Sequence, residues 1–139
     1  MPRKAIYGFT IVTAAILAAS GALAQKLPPI PKGNHYVCYP ARVDQQFKVR
    51  KATFQDQFGK WNVYVTGITR LCTPALKRYG RTVSEPVDKR LHQVCYSIRL
   101  ASKNPLPKVV TNDQFGAERL YLSPPREVCL PAGKMVIKG

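Results

Sequence analysis

Apolar and polar residues alternate with a period of two through much of the chain beyond residue 34. Trp61, Val63 and Val65 fall on one side of an extended segment and Asn62, Tyr64 and Thr66 on the other, which predicts a strand with one buried face over residues 61–66. Residues 35–43 and 48–54 are rich in β-formers and predict two further strands. Asp56-Gln57-Phe58-Gly59 separates the second strand from the third: Asp hydrogen-bonds the backbone that follows it, and Gly supplies a positive φ, so this is a hairpin turn. Leu71-Cys72 runs into Pro74, which ends a strand or places it at a sheet edge. Strands follow again over residues 94–100, 108–111, 119–122 and 128–129. The polar stretch 78–91, with Gly80 and Pro86, reads as a linker. No sustained 3.6-residue apolar period occurs after residue 24, so no helix is predicted there.

The pattern is given twice. His35-Tyr36-Val37-Cys38-Tyr39, Asp56 to Gly59, Tyr64, Cys72, Pro74-Ala75 and Lys77 reappear 57 residues later as His92-Gln93-Val94-Cys95-Tyr96, Asp113 to Gly116, Tyr121, Cys129, Pro131-Ala132 and Lys134. Residues 35–77 and 92–134 align without a gap and share 15 identities in 43 positions. A module this short is near the lower limit of what folds alone, so the two apolar faces are expected to cover each other. The predicted fold is all-β: a duplicated four-strand module, packed as a sandwich or partly closed barrel of about eight strands with pseudo-two-fold symmetry. Val63, Val65, Phe58, Leu120, Leu122 and Phe115 are expected in its core.

The N-terminus changes the compartment. Arg3 and Lys4, an uncharged apolar run over residues 6–19 and Ala22-Leu23-Ala24 read as a secretory signal peptide over residues 1–24. Residues 25–34, with Pro28, Pro29, Pro31 and Gly33, form an extended leader, and residues 35–139 a single β domain. With export the four cysteines read as disulfides, since an even count in a small exported chain favours pairing. Three connectivities are possible. Cys38–Cys72 with Cys95–Cys129 is the pairing a self-contained ancestral module keeps through duplication. No transmembrane segment is expected after signal cleavage.

Charge points to the partner. Without Arg3 and Lys4 the basic residues number 20 against 7 acidic ones, a net charge of +13, which favours an anionic polymer or envelope component. Arg42/Arg99, Lys51/Lys108 and Lys77/Lys134 are cations at matching positions of both copies. With Trp61 and the pair Tyr64/Tyr121 they make a candidate anionic-ligand surface. Nucleic acid is not expected, since no reading module is visible. His35-x-x-Cys38 and His92-x-x-Cys95 have the look of metal half-sites, but residues three apart on a strand face opposite ways, so neither a metal nor another cofactor is expected. Asp56 and Asp113 are the one pair suited to acid–base chemistry, and a hydrolytic enzyme built on them is the alternative to a binding module. A purely structural secreted scaffold is the third possibility.

The order Cys38-Tyr39, Asp56 to Gly59, Leu71-Cys72-Thr73-Pro74, repeated as Cys95-Tyr96, Asp113 to Gly116, Val128-Cys129-Leu130-Pro131, resembles an uncharacterised family of secreted bacterial proteins built from tandem copies of such a module. The resemblance implies export and a β-rich module. It implies no activity, cofactor or catalytic residue, and the functional expectation stays a non-catalytic exported module for a polysaccharide or other polyanion.

Overall fold

The computed structural model describes residues 26–138, so the signal segment expected over residues 1–24 lies outside the described residues. Nine strands and no helix are found among them: β1 His35–Pro40, β2 Arg50–Asp56, β3 Gly59–Ala75, β4 Lys77–Tyr79, β5 Thr82–Ser84, β6 His92–Leu100, β7 Lys108–Asp113, β8 Gly116–Tyr121 and β9 Glu127–Ala132. All pairings are antiparallel. The main sheet is open and ordered β1-β3-β6-β9, with β2 also pairing β3; β4-β5 and β7-β8 are separate two-stranded sheets. Eight strands in a sandwich or barrel are thus replaced by one five-stranded sheet and two hairpins. The stretch expected as a linker holds β4 and β5, turned at Gly80, whose φ of 58° lies in the left-handed region glycine tolerates.

Pairing in the two halves follows one register. Cys38 faces Cys72 and Cys95 faces Cys129, and Lys51 faces Tyr64 as Lys108 faces Tyr121, each pair of partners shifted by 57 residues. The strand order nevertheless rules out the expected two-fold axis through the sheet. Such an axis would exchange β1 with β9 and β3 with β6, whereas the matching residues put β1 with β6 and β3 with β9. The second pair of strands instead follows the first side by side, in the same direction.

The halves differ most where their sequences do. β3 runs unbroken for 17 residues past Gly67 and Ile68, with irregularities between Val65 and Gly67 and between Ile68 and Arg70. In the second half Pro124 and Pro125 take those two places. Neither proline has an N–H for a ladder, and the strand is cut into β8 and β9. The β7-β8 hairpin consequently leaves the main sheet.

The core therefore belongs to one hairpin. Trp61, Val63 and Val65, on the inward face of β3, are buried together with Cys72 and Cys95. Ala52 and Phe54 from β2, Tyr96, Ile98 and Leu100 from β6, and Phe47 and Leu106 from the two loops pack around them. Of the expected core residues, Val63 is 2% exposed while Leu120, its counterpart, is 41% and Phe115 72% exposed. Phe58 and Leu122 are half-buried. Phe115 instead meets Tyr79 edge-on, ring centroids 5.6 Å apart.

Two disulfides join this thin sheet, Cys38–Cys72 and Cys95–Cys129, as the repeat predicts. Each spans 34 residues, so closing the loop restricts the unfolded chain by about 4 kcal/mol per bond in the chain-entropy model. Cys72 Sγ and Cys95 Sγ are 3.8 Å apart, so the cysteines form one row across β1, β3, β6 and β9. Beside this row a polar clasp crosses β6. Arg70 Nε donates to Glu127 Oε1 at 2.9 Å, Arg70 Nη2 pairs with Glu127 Oε2, and Thr69 Oγ1 donates to the same carboxylate.

Two outcomes follow from this packing. Val63→Ala should lower unfolding stability by about 2 kcal/mol and Leu120→Ala by less than about 1 kcal/mol, because only the first leaves a cavity. Equal losses in denaturant titrations would contradict the one-sided core. The hydrogen bonds from Arg70 and Thr69 hold the Glu127 pKa below its ordinary value of 4.5 against the opposing effect of burial. Since the folded pKa is the lower one, this contribution is complete above the unfolded value and is lost as pH falls through the folded value. The stability gap between the wild type and Glu127→Gln should therefore narrow in denaturant titrations stepped downward from pH 4.5; a gap independent of pH would refute it.

Candidate functional site

On the face of β3 turned away from the core, Tyr64 stands between two cations. Lys51 on β2 and Arg99 on β6 are its direct neighbours in the ladder. Strand alternation brings all three to one face, and the pairing puts them in one row. Lys51 Nζ lies 5.6 Å and Arg99 Cζ 4.7 Å from the Tyr64 ring centroid, both within cation–π range. The two cationic residues are exposed and the ring is half-buried, so the row is fixed at its centre and open to solvent at both ends. Thr53 and Asn62 flank it with a 2.9 Å hydrogen bond between their side chains, giving polar groups beside the charges. An anionic group set here meets two positive charges on either side of one half-buried ring.

The second half builds part of the same feature. Lys108 Nζ is 5.1 Å from the Tyr121 ring centroid, and Tyr121 is exposed. Among the described residues no second cation stacks on Tyr121, and Arg42 stacks on no ring. The remaining members of the predicted surface are not gathered around the row. Lys77, on β4, lines a separate cleft of about 600 Å³ with His35, Glu85 and Asp113. Lys134 is exposed beyond the end of β9, and Arg42 is exposed beyond the end of β1. Trp61 must be removed from the surface altogether: it is 4% exposed, on the core face of the strand that carries Tyr64 outward.

No family model, curated protein or solved structure matches the chain. The chemistry of the site thus rests on its own geometry.

The carboxylates are occupied by their turns. Asp56 Oδ1 accepts from Phe58 N at 2.9 Å, Gly59 N at 3.1 Å and Trp61 Nε1 at 3.3 Å. Asp113 Oδ1 accepts from Phe115 N at 2.7 Å. Gly59 and Gly116, with φ of 145° and 128°, supply the backbone the turns need. The two aspartates sit at the tips of hairpins in different sheets, and the cleft that includes Asp113 does not include Asp56. Among the described residues the one His/Cys/Asp/Glu group compact enough to hold an ion is Cys95, Glu127 and Cys129, but its sulfurs are joined to each other and its carboxylate to Arg70.

Sequence periodicity marks Tyr64, Lys51 and Arg99 as repeated residues, but not that a tyrosine of the first half takes an arginine of the second. The Arg70–Glu127 clasp was missed entirely. Its signal was present, since opposite charges stand at matching positions of the two halves. The turn bonds predict that Asp56→Ala lowers stability by about 1–2 kcal/mol and Asp113→Ala by less, in chemical denaturation followed by circular dichroism. Two aspartates kept for acid–base work alone would leave both stabilities unchanged.

Proposed function

We propose that the protein is an exported, non-catalytic binding module for an anionic polymer such as an acidic polysaccharide. The observation that carries this reading is the Lys51–Tyr64–Arg99 row, in which two cations share one ring on an open sheet face. Its partial copy at Lys108 and Tyr121 offers a second contact, and an extended ligand suits two such stations better than a small molecule does. The excess of 22 basic over 7 acidic residues in the whole chain adds long-range attraction for polyanions. Two disulfides favour an oxidising compartment, and no helix among the described residues is long and apolar enough to cross a membrane. The tandem module is read as one gene-level duplication, in keeping with the shared register of the two halves. A hydrolase built on Asp56 and Asp113 draws no support from carboxylates already committed to their turns.

The reading is tested by binding to a sulfated glycan and to neutral dextran at 0.05 M and 0.5 M salt. Binding should be confined to the polyanion and fall steeply with salt, because the attraction is electrostatic. The double variant Lys51→Ala/Arg99→Ala should weaken it by about tenfold, and Lys134→Ala by much less. Equal binding of dextran, or a double variant no weaker than Lys134→Ala, would remove the assignment.

A further inference from the structure

The two outer strands of the main sheet are the unused halves of a contact that the chain already makes inside itself. Between the halves, β3 pairs β6, with Cys72 opposite Gln93 and Arg70 opposite Cys95. The 57-residue correspondence relates β3 to β9 and β6 to β1. Those counterparts, β9 and β1, are the free edges of the sheet. We propose that copies of this chain associate head to tail, the β9 edge of one copy pairing with the β1 edge of the next as β3 pairs with β6 within the chain. This contact is heterologous: the two surfaces complement each other and neither complements itself.

Backbone geometry allows it. The cysteine partners have Cα atoms 4.0 and 3.9 Å apart, which marks them as non-hydrogen-bonded pairs. Their N–H and C=O groups therefore point away from each other, and with them those of Tyr36 and Cys38 on β1 and of Glu127 and Cys129 on β9 point out of the sheet. The ladder bonds at neighbouring positions, Ala41 N to Thr69 O and Ile98 N to Arg126 O, both 2.9 Å, have the alternation this requires. Transferring the β3–β6 register sets Cys129 opposite Tyr36 of the next copy and Glu127 opposite Cys38 of the next copy. Pro40 and Pro131 lie at the ends of this stretch and limit the ladder to the residues between them. Pro124 and Pro125 correspond to Gly67 and Ile68, where the internal ladder is itself irregular.

Side chains support the same partner where they are apolar. The Arg99–Tyr64 contact has no counterpart in the transferred ladder, because Pro124 and Pro125 take Tyr121 out of the main sheet on β8. Arg70 and Glu127 are already bridged within each copy, so the transferred position of this pair brings no unpaired charge to the contact. Apolar positions differ between the halves: Tyr96 and Leu100 of β6 pack on the core, whereas their counterparts Tyr39 and Val43 are exposed, as Leu120 is where Val63 is buried. A second copy along β1 covers the exposed Tyr39 as the first half covers Tyr96. The high positive charge opposes the contact, so association is expected to strengthen with salt, the opposite of polyanion binding.

Sedimentation velocity of the oxidised protein over a range of concentrations at 0.5 M salt, where screening acts over about 4 Å and no polyanion is present, tests this directly. The wild type should associate reversibly. Tyr36→Pro removes an outward N–H of β1 and no internal ladder bond; Glu127→Pro does the same on β9, with Glu127→Gln as the control for the lost Arg70 bridge. Each proline variant should weaken self-association by about tenfold or more. Mixed together, the two variants should form a one-to-one dimer that grows no further, because each retains the edge the other has lost. If Tyr36→Pro fails to form its disulfides, Tyr36→Lys replaces it, setting a further positive charge on the same edge. A wild type that stays monomeric, variants that associate undiminished, or a mixture that does not pair would each overturn the proposal. The outcome is independent of the polyanion reading, because self-association is measured with no polyanion present and its variants leave Lys51, Tyr64 and Arg99 untouched.

Discussion

The structure depends on a row of four sulfur atoms laid across four strands. Each bond joins directly opposed residues, Cys38 to Cys72 and Cys95 to Cys129, and the inner two sulfurs touch at 3.8 Å. A sheet with so few fully buried side chains gains little from hydrophobic burial, and small chains of this kind commonly rely on covalent links for stability. The row also fixes register. A slip by one residue would turn every side chain to the opposite face, and an opposed cysteine pair forbids that slip within each half.

Register then determines what reaches the surface. With Cys72 held against Cys38, the alternation along β3 buries Trp61, Val63 and Val65 and turns Tyr64 outward between Lys51 and Arg99. The same strand thus supplies the core and the cationic row, on opposite faces. The ring of Tyr64 is flanked in the ladder by both cations, which restrains side chains that would otherwise sweep freely through solvent. β3 is paired along both edges, by β1 and β2 on one side and β6 on the other, so the cationic row stands at the centre of the sheet rather than at its rim.

The halves start from one pattern and end in different environments. Gly67-Ile68 lets β3 continue through its irregularities, while Pro124-Pro125 cuts the matching strand and releases the β7-β8 hairpin from the main sheet. Leu120 and Phe115 are exposed for that reason, not for want of apolar character. Side-by-side stacking of the halves, in place of a two-fold arrangement, leaves β1 and β9 as unlike edges. Free edges normally carry blocking devices, and here Pro40 and Pro131 shorten the exposed ladders without closing them.

Local chemistry determined the elements. A period of two in hydrophobicity, Asp and Gly at the hairpin tips, and cysteines at a repeated interval specify strands, turns and disulfide partners, because each depends on residues close in sequence or on the repeat itself. The break between residues 122 and 128 was legible in the same way, at Pro124-Pro125, whereas the β4-β5 hairpin hides in a polar stretch that reads as a linker. Tertiary structure alone decided which half would cover which. One strand has two edges and two faces, and sequence does not say which neighbour takes each. That choice buried Trp61 instead of presenting it to a ligand, gave Tyr64 an arginine from the other half, joined Arg70 to Glu127 across β6, and left the second hairpin without a core. These are contacts between residues far apart along the chain, fixed by how strands are ordered in the sheet rather than by the pattern within any one of them.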